Sequence, residues 1–507
     1  MTMPPETRAS ETPSTARRAA RLVFLFSLCL YGATTGGSMA TDIMTYEVTK
    51  SIVERGSVTM PDNLFGMEAH RGVDGRYYAP YGIGHAVYSV PFYLLGRAAE
   101  RFTGGSIGRS ESLRKAGLTV GSAVAAAASV WLTFWFAWAL VGRTRPAVMT
   151  ALAVACGTAL WPYAKFGFNA PLAALCVLIA VYGAWVGMRS GHSGMLALSG
   201  VGIGAALLVR VELVLVALPI ALWVTLESWP DWRRAVRATT MVATPAIVAV
   251  LLTAYYNAVR FGNPLDTGYL RDQTAGVGSV WAGALGLMFS PGGSLFLYSP
   301  VLVLGVVALF ELSRNDRNSA VLLGGVALVL FCFYASLEHW DADRSYGPRY
   351  LLPMTPLLCV PLARWFCGAT TDLRRRIVTV GLAVSILVQV PGILVDFSKV
   401  GHTPEIGYQT REVRRWQWSF SAIALNSGAA AVAVPRNLRY LAGADPRPLA
   451  EPAVGEARDF SAQFAYSLDF WWVYLYYLGV VPAALSVAVG MLSLGSAGVI
   501  LFQLRRV

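Results

Sequence analysis

Long apolar runs separated by short polar turns cover most of the chain after residue 21. The first run is Leu22–Ala40, and the last is Val473–Phe502. A helix needs about 20 apolar residues to cross the hydrocarbon core of a membrane, and the chain contains about twelve such runs. The pattern therefore predicts an all-α polytopic membrane protein, a bundle of about 12 transmembrane helices with extracytoplasmic loops and interfacial helices.

Arginine clusters lie in the turns between these runs, as at Arg374–Arg376 and Arg505–Arg506. Short loops rich in arginine mark the cytoplasmic side of a membrane protein. Successive spans cross the membrane in opposite directions. Starting from a cytoplasmic arginine cluster, this alternation predicts that both chain ends are cytoplasmic and that two large segments lie outside. The first run lacks a small-residue cleavage site, so we interpret it as an uncleaved span.

The same alternation divides the chain into parts. A composition rich in Pro, Thr, Ser and Ala at the start predicts a disordered tail. The predicted parts are a cytoplasmic tail at 1–18, a transmembrane module at 19–397 that contains the first outside loop at 41–115, an extracytoplasmic segment at 398–470, and a final transmembrane helix with a cytoplasmic end at 471–507.

One long apolar run, Met195–Glu227, contains a charged residue, Arg210, near its middle. A guanidinium at membrane depth is costly unless it faces a polar cavity, and irregular backbone is tolerated only where it lines such a cavity. We therefore predict two short helices broken near Arg210, a division that also keeps Arg233 cytoplasmic. Two amphipathic stretches, Ile83–Ala98 and Arg411–Trp418, predict interfacial helices.

Composition narrows the set of possible partners. Of the 507 residues, 55% are hydrophobic and 14% are charged, the mean hydropathy is +0.52 and the formal net charge is +12. The positive charge lies in the turns between spans, which argues against nucleic acid as a partner. The six cysteines lie in or beside apolar runs, and the five histidines are scattered. We therefore expect no metal site and no disulfide framework.

Two carboxylates stand directly after the first span, in the sequence TDIMTYEVTKSIVERG. Ionisable groups at the edge of a membrane are expensive and are often functional. We predict Asp42 to be a general base and Glu47 to be a second catalytic residue. The alternative for Asp42 is the cap of a short helix, and the alternative for Glu47 is an ion pair with Lys50 or Lys115.

Lys165, in WPYAKFGFNAP, and Arg210 stand at or near predicted span ends on the outer side. Cations in such a place suit recognition of a lipid-borne phosphate, so we predict both to be substrate-binding residues. Lysine also snorkels from span ends without any functional role. A structural pairing with Glu212 is the alternative for Arg210.

The stretch HWDADRSYGPRYLLP is dense in charged and aromatic residues just before another span. Arg344 and Arg349 flank a Ser-Tyr-Gly-Pro turn, and two arginines beside a membrane surface suit bidentate phosphate binding. We predict both of them, together with His339, to be substrate-binding. A surface ion network of Arg344 with Asp341 and Asp343 is the alternative.

The first outside loop contains a stretch rich in tyrosine, GRYYAPYGIGHAVYSVPFYLLG. Its glycines at positions 82 and 84 permit close backbone approach. Tyr78 and His85 can donate hydrogen bonds to a sugar or a phosphate, so we predict them to be substrate-binding. An aromatic belt at the membrane surface is the alternative for the tyrosine.

Taken in order and with their predicted sidedness, four stretches resemble the bacterial GT-C glycosyltransferases, multispanning enzymes that use polyprenyl-phosphate sugar donors. The nearest branch is that of the protein O-mannosyltransferases and aminoarabinose transferases. The stretches are TDIMTYEVTKSIVERG, GRYYAPYGIGHAVYSVPFYLLG, YYNAVRFGNPLDTGY through SPGGSLFLYSP, and WDADRSYGPRYLLPMTP. The resemblance implies that Asp42 is the catalytic base and that Lys165, Arg210, Arg344 and Arg349 bind the lipid phosphate.

The resemblance also implies a function for the module 19–397. It is the transfer of a sugar from a polyprenyl-phosphate donor to a hydroxyl of a glycan, lipid or protein, with inversion, on the outer face of a bacterial plasma membrane. It implies no cofactor besides this donor. Mannosyltransferases of the group often carry adjacent Asp-Glu where this chain has Asp42 and Ile43, so the sugar and the acceptor stay open.

Two other functions fit a basic pocket in a membrane protein. They are a transporter or flippase of lipid-linked sugar and a non-catalytic envelope assembly factor. Transporters commonly contain inverted repeats, which this sequence does not show. The segment 398–470 is the candidate for acceptor recognition, because loops on a rigid scaffold carry specificity.

Overall fold

We describe a computed structural model of the 507-residue chain. The described residues are 13–37, 42–61, 69–101, 107–269, 276–343, 345–368, 371–401, 406, 408–445, 467–477 and 481–506. Nearly all of them lie in helices or in the turns that join helices, and the one described sheet has two short strands. The predicted all-α class is confirmed.

The first half of the chain contains helices α1–α9. They are Pro13–Ala33, Ile43–Arg55, Gly84–Glu100, Ile107–Val141, Thr144–Gly157, Leu160–Ala164, Ala170–Ser190, Ser193–Val209 and Ala217–Ser228. Helix α1 begins within the predicted disordered tail at 1–18, of which residues 1–12 lie outside the described residues. Ala16 and Ala19 are fully buried in the main hydrophobic core, and burial of these strong helix formers explains the earlier start.

The second half contains helices α10–α22. They are Trp232–Phe261, Val280–Phe289, Leu295–Tyr298, Val301–Asn315, Arg317–Ala335, Thr355–Cys359, Leu362–Cys367, Asp372–Leu394, Phe397–Val400, Arg411–Trp416, Ala422–Leu441, Trp471–Tyr477 and Ala483–Leu504. Shorter 3-10 helices lie at Val211–Val216, Arg349–Met354 and Trp418–Phe420. The strands β1 (His70–Arg71) and β2 (Tyr77–Tyr78) pair antiparallel in the first outside loop.

Helices of membrane-spanning length and composition occur between Glu111 and Leu504. In the described part eight qualify: Glu111–Val141, Ala170–Ser190, Val211–Ser228, Trp232–Phe261, Arg317–Ala335, Arg349–Cys367, Asp372–Leu394 and Ala483–Leu504. Two of the shorter helices, Ser193–Val209 and Val280–Phe289, are also apolar. The polytopic architecture is confirmed, and the number of about twelve spans stays a prediction from the twenty-residue criterion.

The predicted break near Arg210 is confirmed. Helix α8 ends at Val209, and Arg210 itself is extended, with φ −146° and ψ 121°. The chain then continues as the 3-10 helix Val211–Val216 before α9 begins at Ala217. This irregular stretch carries a buried guanidinium, and a polar interior is the setting in which such backbone is tolerated.

The two predicted interfacial stretches are also helical. Helix α3 covers most of Ile83–Ala98, and Val87, Leu94 and Leu95 on it are exposed. The second stretch forms α19 followed by the 3-10 helix Trp418–Phe420. Exposed apolar side chains on a helix beside the bundle suit contact with a membrane surface.

Candidate functional site

Asp42 stands at the start of α2 and caps this helix. Its Oδ1 accepts a hydrogen bond from the backbone N–H of Met44 at 3.1 Å, and its Oδ2 accepts one from the Thr45 hydroxyl at 2.9 Å. Its own backbone N–H donates to the Gly167 carbonyl at 3.4 Å, which joins this turn to the turn before α7. The capping role is therefore real, and it fixes the direction of the carboxylate.

Electrostatics make the Asp42 carboxylate a stronger base than an exposed one. Burial raises the pKa of Asp42, while the hydrogen bonds from Thr45 and Met44 and the charge of Arg349 lower it. The net pKa is raised from its ordinary value. Among the described residues no ion pair joins Asp42 to Arg349. The carboxylate and the guanidinium are thus close without being directly paired.

Arg210 is buried, with 5% of its surface exposed. Its Nε and Nη2 donate to Asn169 Oδ1 at 3.1 and 2.8 Å, and its Cζ lies 5.4 Å from the centre of the Tyr350 ring. Its Nη1 is buried and has no hydrogen-bond partner in the described part of the chain. An unmet buried N–H is costly, so this atom favours an anionic ligand oxygen at the site.

Arg349 approaches the same aromatic ring from the start of the 3-10 helix Arg349–Met354. Its Cζ lies 5.4 Å from the centre of the Tyr350 ring and 5.8 Å from that of Phe168. Its Nε is also buried without a hydrogen-bond acceptor among the residues the structure describes. Two guanidinium groups therefore lie beside one tyrosine ring, and each has an N–H without an acceptor among the described residues. This arrangement is suited to binding a phosphate.

His85 is linked to Asp42 through Thr45. The His85 Nδ1 lies 3.3 Å from Thr45 Oγ1, whose hydroxyl proton is donated to Asp42. Nδ1 must therefore be the donor in this contact, which leaves Nε2 as an acceptor. Burial, aided by the charge of Arg210, lowers the pKa of His85 to about 3, so the ring is neutral at physiological pH.

Sequence reasoning missed Tyr334, Tyr350 and Asn169 at this site, and it named Glu212 only as an alternative partner of Arg210. The Glu212 carboxylate accepts a hydrogen bond from the Tyr334 hydroxyl at 2.8 Å, and no ion pair joins Glu212 to Arg210 in the described part of the chain. The Tyr334 ring stacks on Tyr350 with centroids 5.3 Å apart. Asn169 precedes Ala-Pro in a stretch singled out for Lys165, so its position before α7 was the available signal.

Lys165 is placed differently from the two arginines. It is fully buried, and its Nζ donates to the carbonyls of Ile393 and Val395 at 2.6 and 3.2 Å. It also forms a salt bridge of 2.9 Å with the equally buried Asp469. These contacts occupy the ammonium with protein groups, so the structure does not bring it to the Asp42 site as a free cation. Its substrate-binding role stays a prediction.

Glu47 and Tyr78 also lie apart from Asp42. Burial raises the pKa of Glu47, and the charges that act on it are those of Lys50, Glu111, Lys115 and Arg55. The Tyr78 hydroxyl donates to Asp74 at 2.8 Å within the first outside loop. The structure places these residues in separate clusters, and their catalytic and substrate-binding roles stay predictions.

His339 belongs to another cluster, near α19. Its Nε2 lies 3.4 Å from Arg411 Nη1, and burial together with that arginine lowers its pKa. Arg344 lies outside the described residues, so its predicted contacts are untested. The neighbouring Asp341 and Asp343 pair with arginines of the second outside segment: the ion pairs are Asp341–Arg415 at 2.8 Å and Asp343–Arg414 at 3.1 Å.

The described residues contain no group of three or more metal-ligating side chains. The candidate site consists of Asp42, His85, Arg210 and Arg349, which the sequence predicted, and of the aromatic and amide groups beside them. The charge of Arg349 acts on the partly buried Asp42 carboxylate, and Arg349 and Arg210 each keep an N–H without an acceptor in the described part of the chain. Such a site can accept a proton and bind an anion at the same time.

Comparison with known proteins places the bundle among characterised folds. No family model and no curated protein sequence matches this chain. The apo structure of the oligosaccharyltransferase of Archaeoglobus fulgidus aligns with a TM-score of 0.51 and 12% identity, over 94% of this chain and 65% of that chain. The chain has the GT-C fold.

A second GT-C structure is ArnT from Cupriavidus metallidurans bound to undecaprenyl phosphate. It aligns with a TM-score of 0.48 and 14% identity, over 94% of this chain and 89% of that chain. The alignment with the oligosaccharyltransferase confirms, at the level of fold, the GT-C-like bundle predicted from the four sequence stretches. At these identities the GT-C fold does not by itself assign a substrate.

Proposed function

We propose that this protein transfers a sugar from a polyprenyl-phosphate donor to a hydroxyl acceptor at the membrane surface. The proposal rests on one arrangement of charges. The charge of Arg349 acts on the Asp42 carboxylate, and Arg349 and Arg210 each have an N–H beside Tyr350 that lacks an acceptor among the described residues. The GT-C fold supports it, because the solved protein aligned with a TM-score of 0.51 is an oligosaccharyltransferase.

In the proposed reaction, Asp42 takes the proton of the acceptor hydroxyl. The hydroxyl oxygen forms a bond to the anomeric carbon of the sugar as the bond from that carbon to the phosphate oxygen breaks. The electron pair of the broken bond stays with the leaving polyprenyl phosphate. Attack opposite the leaving group inverts the anomeric centre, and the raised pKa of Asp42 strengthens it as the base.

The arginines stabilise the leaving group. Charge builds on the phosphate as the bond breaks, and the unmet Nη1 of Arg210 and Nε of Arg349 are donors for its oxygens. Fixed donors aimed at developing charge in a buried site are often the largest contribution to catalysis. The hydrogen bonds of Arg210 to Asn169 keep its guanidinium in place before the donor arrives.

Two further parts of the proposal are the side of the membrane on which transfer occurs and the segment that recognises the acceptor. The site lies on the outer face of a bacterial plasma membrane, because the arginine turns at the other helix ends follow the positive-inside pattern. The segment 398–470 contributes to acceptor recognition, since Arg414 and Arg415 from it pair with Asp343 and Asp341 beside the site end of the bundle.

Substitution of Asp42 tests the function. Asp42→Asn removes the base but keeps an oxygen that can accept from the Met44 N–H, so α2 should stay capped. We expect the rate of sugar transfer to fall by about 10²- to 10⁴-fold, the usual contribution of a general base, while donor binding is retained. The measurement is transfer of radiolabelled sugar from a polyprenyl-phosphate donor by the purified protein in lipid vesicles.

The control is Glu54→Gln, which removes a carboxylate from the last turn of the same helix. Glu54 pairs with Arg114 and accepts a hydrogen bond from the Tyr93 hydroxyl, so this variant should transfer sugar at close to the unmodified rate. An unchanged rate in Asp42→Asn, with donor binding or donor transport intact, would exclude the proposed chemistry. It would favour a flippase or an assembly factor instead.

A further inference from the structure

A polar cavity lies at the end of the bundle away from Asp42. Helices α5 and α17 end on the Asp42 side of the bundle: the stretch after α5 leads to Gly167, whose carbonyl accepts from the Asp42 N–H, and Ile393 near the end of α17 contacts Lys165 of that stretch. Their opposite ends, at Thr144 and Asp372, lie beside a cavity of about 470 Å³. The positive-inside pattern predicts that this end is cytoplasmic.

Three arginines from separate segments line this cavity. Arg143 precedes α5, Arg364 lies in α16, and Arg374 lies in the first turn of α17. Glu311 is the one carboxylate among the lining residues, and it binds Arg374 at 2.7 Å. Arg143 and Arg364 have no ion-pair partner in the part of the chain that the structure describes. We call this space the arginine cavity.

A buried donor without a partner points to a ligand. Trp365 lines the arginine cavity with only 8% of its surface exposed, and its Nε1–H has no acceptor among the described residues. Arg374 stacks on the Trp365 ring, with its Cζ 4.6 Å from the ring centre, and the Arg374 Nε is likewise unmet. Unmet buried donors are costly and call for an acceptor.

The positive-inside pattern alone does not explain this arrangement. Arg314 in the last turn of α13 and Arg317 at the start of α14 lie at the same end of the bundle and are exposed to solvent. Topology requires only that arginines be on that side. The arginine cavity brings together Arg143, Arg364 and Arg374 with a buried indole N–H. Membrane topology does not require this convergence.

The arginine cavity also has an apolar part. Leu140, Val141, Ala308 and Leu312, near the ends of α4 and α13, line it together with the charged residues. An amphiphile with an anionic head and hydrocarbon chains matches both surfaces. A soluble anion would match only the polar part.

From these contacts we infer that the arginine cavity binds the phosphate headgroup of an anionic glycerophospholipid. The phosphate oxygens accept from the guanidinium groups of Arg143 and Arg364 and from the Trp365 indole. The first carbons of the acyl chains lie on the apolar residues at the ends of α4 and α13. Basic pockets between helices on the cytoplasmic side are suited to such headgroups.

The test is a lipid titration of the purified full-length protein in detergent, followed by native mass spectrometry. The probes are phosphatidylglycerol and diacylglycerol, which has no phosphate. We expect saturable binding of one phosphatidylglycerol and none of diacylglycerol. The double variant Arg143→Ala/Arg364→Ala should weaken binding by about tenfold or more, since each cation near such a lipid contributes about 1 kcal/mol.

Matched variants separate the site from the general charge of this face. Arg314→Ala/Arg317→Ala removes the same charge from exposed positions and should leave binding unchanged. Trp365→Phe keeps the ring but removes the donor and should weaken binding by about fivefold, the effect of one hydrogen bond of about 1 kcal/mol. Arg143→Lys/Arg364→Lys keeps the charge and should bind better than the alanine pair, which guards against a folding defect.

Other results would overturn the inference. Equal weakening by the Arg314/Arg317 pair would show that only surface charge matters. Displacement of the lipid by inorganic phosphate at micromolar concentration would assign the cavity to a soluble anion. Sugar transfer by the double variant in unmodified lipid vesicles is measured in parallel, so failure of this inference is distinguishable from failure of the proposed function.

Discussion

At the scale of single residues, Asp42 is both a helix cap and the proposed base. Capping fixes one carboxylate oxygen on the Met44 N–H and the other on the Thr45 hydroxyl. Each hydrogen bond stabilises the ionised form, and burial opposes it more strongly. The result is an oriented carboxylate whose pKa is raised, which is the combination that a base near neutral pH requires.

The raised pKa of Asp42 leads to a pH prediction. The base must be ionised, so kcat/KM should fall with decreasing pH along an acid limb above the ordinary range of an aspartate. Arg349 lowers the pKa of Asp42, so Arg349→Met should move this limb to higher pH. Rates measured from pH 4 to 8 check both effects, and a limb that stays fixed in Arg349→Met would contradict them.

Arg210 should matter chiefly for donor binding. Arg210→Met removes one of the two cations with an unmet N–H, and we expect the Kd for a short-chain polyprenyl phosphate to rise by about tenfold or more, as for loss of a charged hydrogen bond. The control is Arg189→Met, since Arg189 pairs with Asp316 at the other end of the bundle. Equal Kd values for Arg210→Met and the unmodified protein would remove Arg210 from the donor site.

Sequence reasoning identified the charged members of the site better than their partners. Asp42 and Arg210 stand out because charge beside long apolar runs is rare. Asn169 and Tyr350 do not stand out, because neither residue type is unusual at a helix end. Lys165 shares the sequence context of a ligand-binding cation, and only the fold reveals its contact with the distant Asp469.

At the scale of elements, the close approach of the first outside loop to α8 sets the position of Arg210. A Cβ atom at Gly82 would lie 2.2 Å from the Leu208 carbonyl oxygen, which is far inside van der Waals contact. Glycine therefore allows this loop to lie against the last turn of α8, two residues before the break. The sequence predicted close approach at this glycine, but not its partner.

We expect Gly82→Ala to displace the loop or the break and to lower sugar transfer, with a larger effect on donor KM than on the amount of folded protein. A cost of about 1–3 kcal/mol is usual for overpacking of this kind. The control is Gly428→Ala in α20, where no atom lies within 4 Å of the added Cβ. Comparable kinetics for the two variants would show that the loop contact is not important.

At the scale of the whole molecule, a buried ion pair joins the C-terminal part of the chain to the site end of the bundle. Lys165 and Asp469 are both fully buried and 2.9 Å apart. The Asp469 N–H donates to the Leu394 carbonyl, and the Trp471 N–H donates to that of Thr35. The segment 467–477 therefore packs against the end of α1 and the end of α17.

Removing the lysine should destabilise the fold. Lys165→Met leaves the Asp469 carboxylate without its cation, at a cost of about 3–5 kcal/mol for a broken buried pair. The double variant Lys165→Met/Asp469→Leu should recover much of this loss. Thermal unfolding in detergent measures both, with Lys115→Met as the control because Lys115 pairs with Glu111 at a partly exposed position.

The opposite outcome would change the view of Lys165. If Lys165→Met were as stable as the unmodified protein but bound polyprenyl phosphate poorly, the lysine would be a donor-binding residue as the sequence predicts.

The spans and their breaks follow from local hydropathy, so the sequence predicts them. A contact between residues 165 and 469 depends on how the whole chain packs, and no local pattern contains it.

The Lys165–Asp469 pair has a consequence for biogenesis. Translation inserts Lys165 long before Asp469 leaves the ribosome, so the nascent protein holds an uncompensated ammonium group for most of its synthesis. Partly folded chains of this kind expose sites to chaperones and proteases. A ribosome that stalls or stops early would therefore release an unfinished chain in which Lys165 lacks the Asp469 carboxylate, a feature that quality control can recognise.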